Sequence, residues 1–249
     1  MPSIEIITHC WSEKHSEFAT MLFYQLWSIQ ECNRVSQSKW RVDSAVVYPE
    51  TNCAICDLVR AHDRDDSLTV ERLTLPIDQF GRRSIGRNIA AKQSTADWVW
   101  FCDADYLFRP ACFDALFNLQ LPDDVVMVFP QQVWISRTHR GGDAVLTCAA
   151  SSSSSYLKDL WDANWVPEKY NRAIGGAQIV RGDIARKYGY LDGDEKWQRP
   201  TMDTLADTKE DVAYRRACQR HGRILGIDLP GVYRLRHSES TIRSHRVTT

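Results

Sequence analysis

Two aspartates one residue apart, Asp103 and Asp105, close the apolar run Trp98-Val99-Trp100-Phe101-Cys102. Such a run predicts a buried strand over residues 97–102, and open α/β sheets bind ligands outside the carboxyl ends of their strands. Two carboxylates at that edge can offer oxygens to one divalent cation, Mn2+ or Mg2+, which can in turn bridge diphosphate oxygens. Taken alone, the pair reads more readily as a solvated turn, because aspartate is common in turns.

Three further groups bear on that choice. Upstream, Gly81-Arg82-Arg83-Ser84-Ile85-Gly86-Arg87-Asn88 places three guanidiniums around a helix start that Ser84 can cap. Helix N-termini favour anions, so the segment suits a diphosphate; the alternative is a solvated basic face. Downstream, Glu210-Asp211 opens a helix, where a carboxylate stays ionised near neutral pH and can accept a proton, unless the two acids only cap the helix. Finally, Arg234-Leu235-Arg236-His237 follows an apolar strand pattern, so His237 can approach the metal while the arginines face phosphate. A lone histidine is more often polar surface; as a ligand it would tilt the site toward manganese. Trp134, Trp161, Trp165 and Trp197 offer aromatic faces to a sugar, and Trp197, inside a polar loop, is the one singled out.

The elements that must position these residues follow from periodicity. Strands are expected near residues 4–8, 42–48, 68–75, 97–102, 125–129, 133–135, 224–227 and 232–235. Helices are expected near residues 17–32, 53–61, 84–94, 110–119 and 211–221. Gly175-Gly176 opens a segment of strand and then helix, through Tyr188. Alternating strands and helices predict an α/β fold with a mainly parallel central sheet flanked by helices. The Ser151–Ser155 run reads as a simple connection or a flap, and the long polar stretch Asp192–Lys209 as an active-site lid.

The 249 residues, 43% of them hydrophobic, suit one domain. We divide it into a nucleotide-sugar-binding half (1–105) and an acceptor-binding half (106–249) with a basic C-terminal segment. The formal charge is -1, which excludes a global field for nucleic acid or anionic membrane. The charge is nevertheless uneven, with eight arginines and two acids from Val212 onward. The eight cysteines are scattered and read as free thiols of a reducing compartment; Cys53-x-x-Cys56 has no second pair to complete a zinc site. No apolar run spans a bilayer, and the expected location is cytoplasmic.

Taken in order, Arg87-Asn88, Ala96-Asp97 with the strand into Asp103-Ala104-Asp105, Gly175-Gly176, Gly189-Tyr190-Leu191-Asp192 and Glu210-Asp211-Val212 resemble the GT-A glycosyltransferases. The likeness is to the family 2 type and the galactosyltransferase C-terminal type, over roughly residues 84–237. It implies a GT-A, Rossmann-like fold and transfer of a sugar from a nucleotide diphosphate donor, a UDP-sugar, to an acceptor hydroxyl of a glycan or other molecule. Asp103 and Asp105 would then hold the metal with His237 completing its site, and Thr8, Arg83, Arg87, Asp103, Ala104 and Gly176 would line the donor. Asp211 would be the base of an inverting transfer, with Glu210 orienting it. The first strand ends in Thr8-His9-Cys10-Trp11 and the second in Tyr48-Pro49-Glu50-Thr51, away from the family pattern, which leaves nucleobase recognition open. The Gln/Arg-x-x-Arg-Trp signature of processive polymerases is absent, which favours single additions.

Three rivals remain at this stage. A sugar nucleotidyltransferase would carry a glycine-rich basic loop after the first strand, where residues 8–15 hold no glycine. A non-catalytic carbohydrate-binding module would hydrolyse no nucleotide sugar. The arginine-rich C-terminal stretch would suit a glycosyltransferase acting on a nucleic-acid base.

Overall fold

The computed structural model describes residues 1–13, 16–36, 39–140, 142–147, 160–161, 164–201 and 209–237. The Ser151–Ser155 run, residues 202–208 of the proposed lid and the basic stretch after His237 lie outside the described residues.

The strands are β1 (Ser3–His9), β2 (Arg41–Pro49), β3 (Val70–Leu75), β4 (Trp98–Cys102), β5 (Tyr106–Phe108), β6 (Val125–Pro130), β7 (Gln132–Ser136), β8 (Trp165–Lys169), β9 (Gln178–Arg181), β10 (Arg223–Ile227) and β11 (Val232–Arg234). The helices are α1 (Glu17–Ser36), α2 (Cys53–His62), α3 (Ile77–Phe80), α4 (Arg83–Gln93), α5 (Pro110–Phe117), α6 (Ala144–Thr147), α7 (Gly182–Tyr188), α8 (Glu195–Gln198) and α9 (Glu210–Gln219). Seven strands form a central sheet in the order β10-β6-β9-β4-β1-β2-β3, and four form a smaller one, β5-β11-β7-β8.

The central sheet is the mainly parallel one expected from the sequence, with β9 antiparallel to both β4 and β6. Its middle strands are apolar on both faces, as a sheet covered by helices requires: β4 buries Val99 to Cys102 and β6 buries all six of its residues. One apolar cluster runs from Ile4 on β1 through Trp100 and Phe113 to Val232 on β11, so the small sheet shares the core of the large one.

This topology gathers the polar residues. A helix that leads into a parallel strand runs back along the sheet, so its N-terminus lies at the carboxyl edge of the strands. That applies to α4, which leads to β4, and to α9, which leads to β10. Strand β9 runs the other way, with Gln178 opposite Phe101 and Arg181 opposite Trp98, so the Gly175-Gly176 turn before it meets the end of β4.

Two local expectations are corrected. Ser84 does not cap α4: Arg82 is the N-cap residue, without a side-chain cap bond, and the Ser84 hydroxyl donates to the Trp197 carbonyl. Trp197 is buried rather than presented to a sugar, with Arg82 and Lys196 over its ring. Helix α9 buries Glu210, Tyr214 and Cys218, one turn apart, while Val212 lies partly exposed. Seven described cysteines are free, and no described helix is long and apolar enough to cross a membrane.

Candidate active site

The first acid of the Asp103-Ala104-Asp105 turn is fixed from behind. Gln25, on the buried face of α1, donates to the Asp103 carbonyl at 2.8 Å and accepts from the Thr8 hydroxyl at 2.7 Å. Thr8 has no exposed surface, and through Gln25 its hydroxyl supports the backbone of the turn. Ala104 is likewise buried, at 9% exposure.

The Asp103 carboxylate turns toward α4. Its Oδ1 accepts from Arg87 Nη2 at 3.1 Å and lies 3.6 Å from Arg83 Nη1. Burial alone would raise its pKa, but Arg87, Arg83 and Arg234 more than offset that and hold it below the usual carboxylate range. Arg87 is completely buried, where Nη1 also donates to the Gly175 carbonyl and the Tyr190 hydroxyl, each at 3.3 Å. Its guanidinium thus orders Asp103 and the glycine turn. Arg83, with 36% of its side chain exposed, is the arginine of the pair that can meet a ligand.

Arg83 also joins the two acidic motifs, since its Nε lies 4.0 Å from Glu210 Oε2. Glu210 is 4% exposed at the N-terminus of α4, with Arg82 Nη1 at 3.9 Å. Burial raises its pKa despite Arg83, Arg87, Arg82 and a hydrogen bond from the Ser84 backbone. Its neighbour Asp211 is partly exposed and lies against Gly175: a Cβ on that glycine would sit 3.8 Å from Asp211 Oδ2. A Cβ on Gly176 would sit 3.0 Å from Asp103 Oδ2 and 2.5 Å from the Tyr106 ring. Two consecutive residues without side chains thus stand between the carboxylate of the first motif and that of the second.

Tyr190 and Gln25 support Arg87 and the Asp103 turn, contacts that the sequence reading did not anticipate. Tyr190 sits in the turn between α7 and α8, which Asn88 and Gln198 clamp: Asn88 Oδ1 accepts from Tyr190 N at 3.0 Å, and Gln198 Nε2 donates to Tyr190 O and Leu191 O. The clamp holds Leu191 at a φ of 58°, a conformation a leucine rarely adopts unaided. For Gln25 there was a signal, a polar residue on the apolar stripe between Leu22, Leu26 and Ile29.

Asp105 turns toward the small sheet. It is 4% exposed, its Oδ2 accepts from Arg234 Nε at 2.8 Å, and His237 Nε2 lies 4.0 Å from the same oxygen. Burial raises its pKa, opposed by Arg234 and reinforced by Asp103. Among the described residues no three potential ligands form one metal-holding group, so Asp103, Asp105 and His237 do not converge as the sequence reading expected. A divalent cation nevertheless fits beside Asp105. Its Oδ1 is buried without a hydrogen-bond partner, as is His237 Nδ1, and both residues line a cavity of about 110 Å³. Two protein ligands with diphosphate and water oxygens suffice for magnesium or manganese.

Residues 76–147, which carry α4 and the Asp103-Ala104-Asp105 turn, match the model of glycosyl transferase family 2. No curated protein sequence matches the chain. Among solved structures it is similar to S. aureus TarS 1–349, at 14% identity with a TM-score of 0.56, over 94% of this chain and 60% of that one. The same protein in complex with UDP-GlcNAc aligns over 100% of this chain and 62% of that one, at 14% identity and a TM-score of 0.57. A mannosyltransferase from Pyrobaculum calidifontis, in complex with GDP-Man and Mn2+, aligns at 13% identity with a TM-score of 0.51, over 94% of this chain and 56% of that one. The chain thus spans about 60% of the length of the structures it resembles, and what it shares with them is the GT-A fold.

Proposed function

We propose that this chain, by its matched stretch and its fold a GT-A glycosyltransferase of the family 2 type, moves a sugar from a nucleoside diphosphate donor, UDP in our reading, to an acceptor hydroxyl. The observation that carries the proposal is the Gly175-Gly176 turn, bare of side chains, with Asp103 against one glycine and Asp211 against the other. The donor sugar lies over that turn in this reading.

The donor phosphates then meet Arg83, which Asp103 and Glu210 hold at the N-terminus of α4. Asp105 and His237 would hold Mn2+ or Mg2+, which when bound would neutralise the leaving diphosphate. The acceptor oxygen attacks the anomeric carbon as the carbon–oxygen bond to the diphosphate breaks, and Asp211 takes the acceptor proton. Glu210, buried among arginines, supports the helix terminus. The outcome at the anomeric carbon is inversion in this scheme. We assign the first half of the chain to the donor and the second to the acceptor, and place the protein in the cytoplasm, a setting that keeps its described thiols reduced.

The test is release of nucleoside diphosphate from a panel of nucleotide sugars with Mn2+ and candidate acceptors. Asp211→Asn should cut turnover by about 10²- to 10⁴-fold while leaving donor binding intact. Unchanged turnover would remove Asp211 from the mechanism, and a protein that binds sugars but releases no diphosphate from any donor would be a binding module.

A further inference from the structure

Cys53 and Cys56 open α2, the helix that crosses from β2 to its parallel neighbour β3, and take no part in the site described above. Cys53 is the first helical residue and is exposed. Cys56, one turn on, is half-buried, and the hydroxyl of Tyr48, near the end of β2, is hydrogen-bonded to it. The other five described thiols are buried: burial pushes Cys10 and Cys218 up to about 12 and raises Cys32, Cys102 and Cys112 as well. The thiolate is the reactive form, so those five are inert and redox chemistry falls to the pair on α2. Among the described residues no three metal-ligating side chains form a group, so nothing described completes a zinc site around the pair.

The first turn of α2 suits a disulfide. Residues three apart on a helix share a face, with Cβ atoms about 5–6 Å apart, whereas a disulfide needs roughly 3.5–4.5 Å. The turn must therefore tighten, and it can do so at Cys53 without breaking the helix. Cys53 N donates to the Thr51 carbonyl at 3.0 Å, outside the helical ladder, which begins with Cys56 N donating to the Asn52 carbonyl at 3.1 Å. Asn52 anchors the rest of the turn, since its Oδ1 accepts from Ile55 N at 3.2 Å and from the Ser12 hydroxyl at 3.1 Å. We propose that Cys53 and Cys56 form a site of thiol–disulfide exchange with low-molecular-weight disulfides of the glutathione class. The exposed Cys53 sulfur attacks one sulfur of the disulfide, whose S–S bond breaks and releases one glutathione thiol. The Cys56 sulfur then attacks Cys53, closes the protein disulfide and releases the second glutathione. Two electrons and two protons pass from the pair to the two glutathione molecules. In a reducing setting the pair rests as thiols and closes only under oxidative load.

Thiol mapping of the full chain tests this without any turnover. The protein is held in glutathione buffers of increasing oxidised fraction, its remaining thiols are alkylated in denaturant, and each cysteine is read by peptide mass spectrometry. Cys53 and Cys56 should lose alkylation together, within one peptide that carries an internal disulfide, and recover it with dithiothreitol, while the five buried cysteines stay free. Cys56→Ser should accumulate glutathione on Cys53. Cys53→Ser should take up glutathione at Cys56 about 10-fold or more slowly, because that sulfur is half-buried. The wild-type result decides even if a variant misfolds. Persistent glutathione on Cys53 of the wild type with Cys56 still free overturns the proposal, as do two thiols that oxidise independently or that both stay free in excess oxidised glutathione.

Discussion

Tyr190 and Arg87 are joined by a hydrogen bond from Nη1 to the phenol oxygen at 3.3 Å, and the Arg87 guanidinium lies 5.4 Å over the same ring. The ring in turn stacks on Tyr214, 4.0 Å between centroids, so the aromatic layer under α9 sets where Arg87 points and hence where Asp103 points. Tyr190→Phe keeps the ring and removes one bond to a buried charge, a loss of about 1.5–3 kcal/mol. Donor affinity should fall by roughly 10-fold or more, with a smaller change in kcat, because the variant disturbs Asp103 and not Asp211. An unaltered donor Kd would show that Asp103 is positioned without Tyr190.

The two glycines of the 175–176 turn should respond differently to alanine. At Gly175 the added Cβ would make ordinary contacts with Asp211, so Gly175→Ala should fold with a melting temperature close to wild type. At Gly176 it would come within 2.5 Å of the Tyr106 ring and 3.0 Å of Asp103 Oδ2. Gly176→Ala should therefore lose about 1–3 kcal/mol of stability and most of its donor binding. Thermal melts and donor titrations of the two variants side by side make the comparison.

The sequence made the scaffold of this site legible where its signals were long. The apolar run into Asp103, the amphipathic α1 and the glycine pair before β9 all lie where periodicity and turn chemistry put them. Short elements escaped: β5 has three residues running directly from the Asp105 turn, and β8 contains Pro167 and the exposed Val166, as an edge strand can. Orientation escaped as well. Arg83 and Arg87 share one face of α4 a turn apart, and only packing decides that the second is sealed inside while the first stays partly exposed. Trp197 drew notice for its polar neighbours, yet a single helical turn faces it into the core.

The neighbouring acids of α9 should separate cleanly by what they affect. Glu210 is buried against Arg82, Arg83 and the Ser84 backbone, whereas Asp211 is partly exposed beside the glycine turn. Glu210→Ala takes the whole buried side chain from among Arg82, Arg83 and the Ser84 backbone and should cost about 1–3 kcal/mol, roughly 2 to 10 °C in Tm for a chain of this size. Asp211→Asn should leave Tm within about 2 °C of wild type, since surface substitutions change stability little. Calorimetric melts read the difference, and equal Tm losses for the two would mean that Asp211 is structural.

Glu5 gives the protein a pH dependence of its own, apart from the two acidic motifs. It lies on β1 opposite Asp43, is 8% exposed, and its Oε2 is buried without a partner. Burial, against a hydrogen bond from Ser94 and with Glu71 and Asp43 nearby, raises its pKa from 4.5 to about 7. Between those two values the folded chain keeps a proton that the unfolded chain has released, so stability falls as pH rises through that window. The full difference corresponds to roughly 3 kcal/mol. Glu5→Gln mimics the protonated acid at every pH: the variant should match the wild type at pH 4.5 and exceed it by up to about that amount at pH 8. Parallel stability curves for the two proteins in denaturant titrations across this range would show that Glu5 keeps its charge on folding, solvated in a way its burial does not suggest.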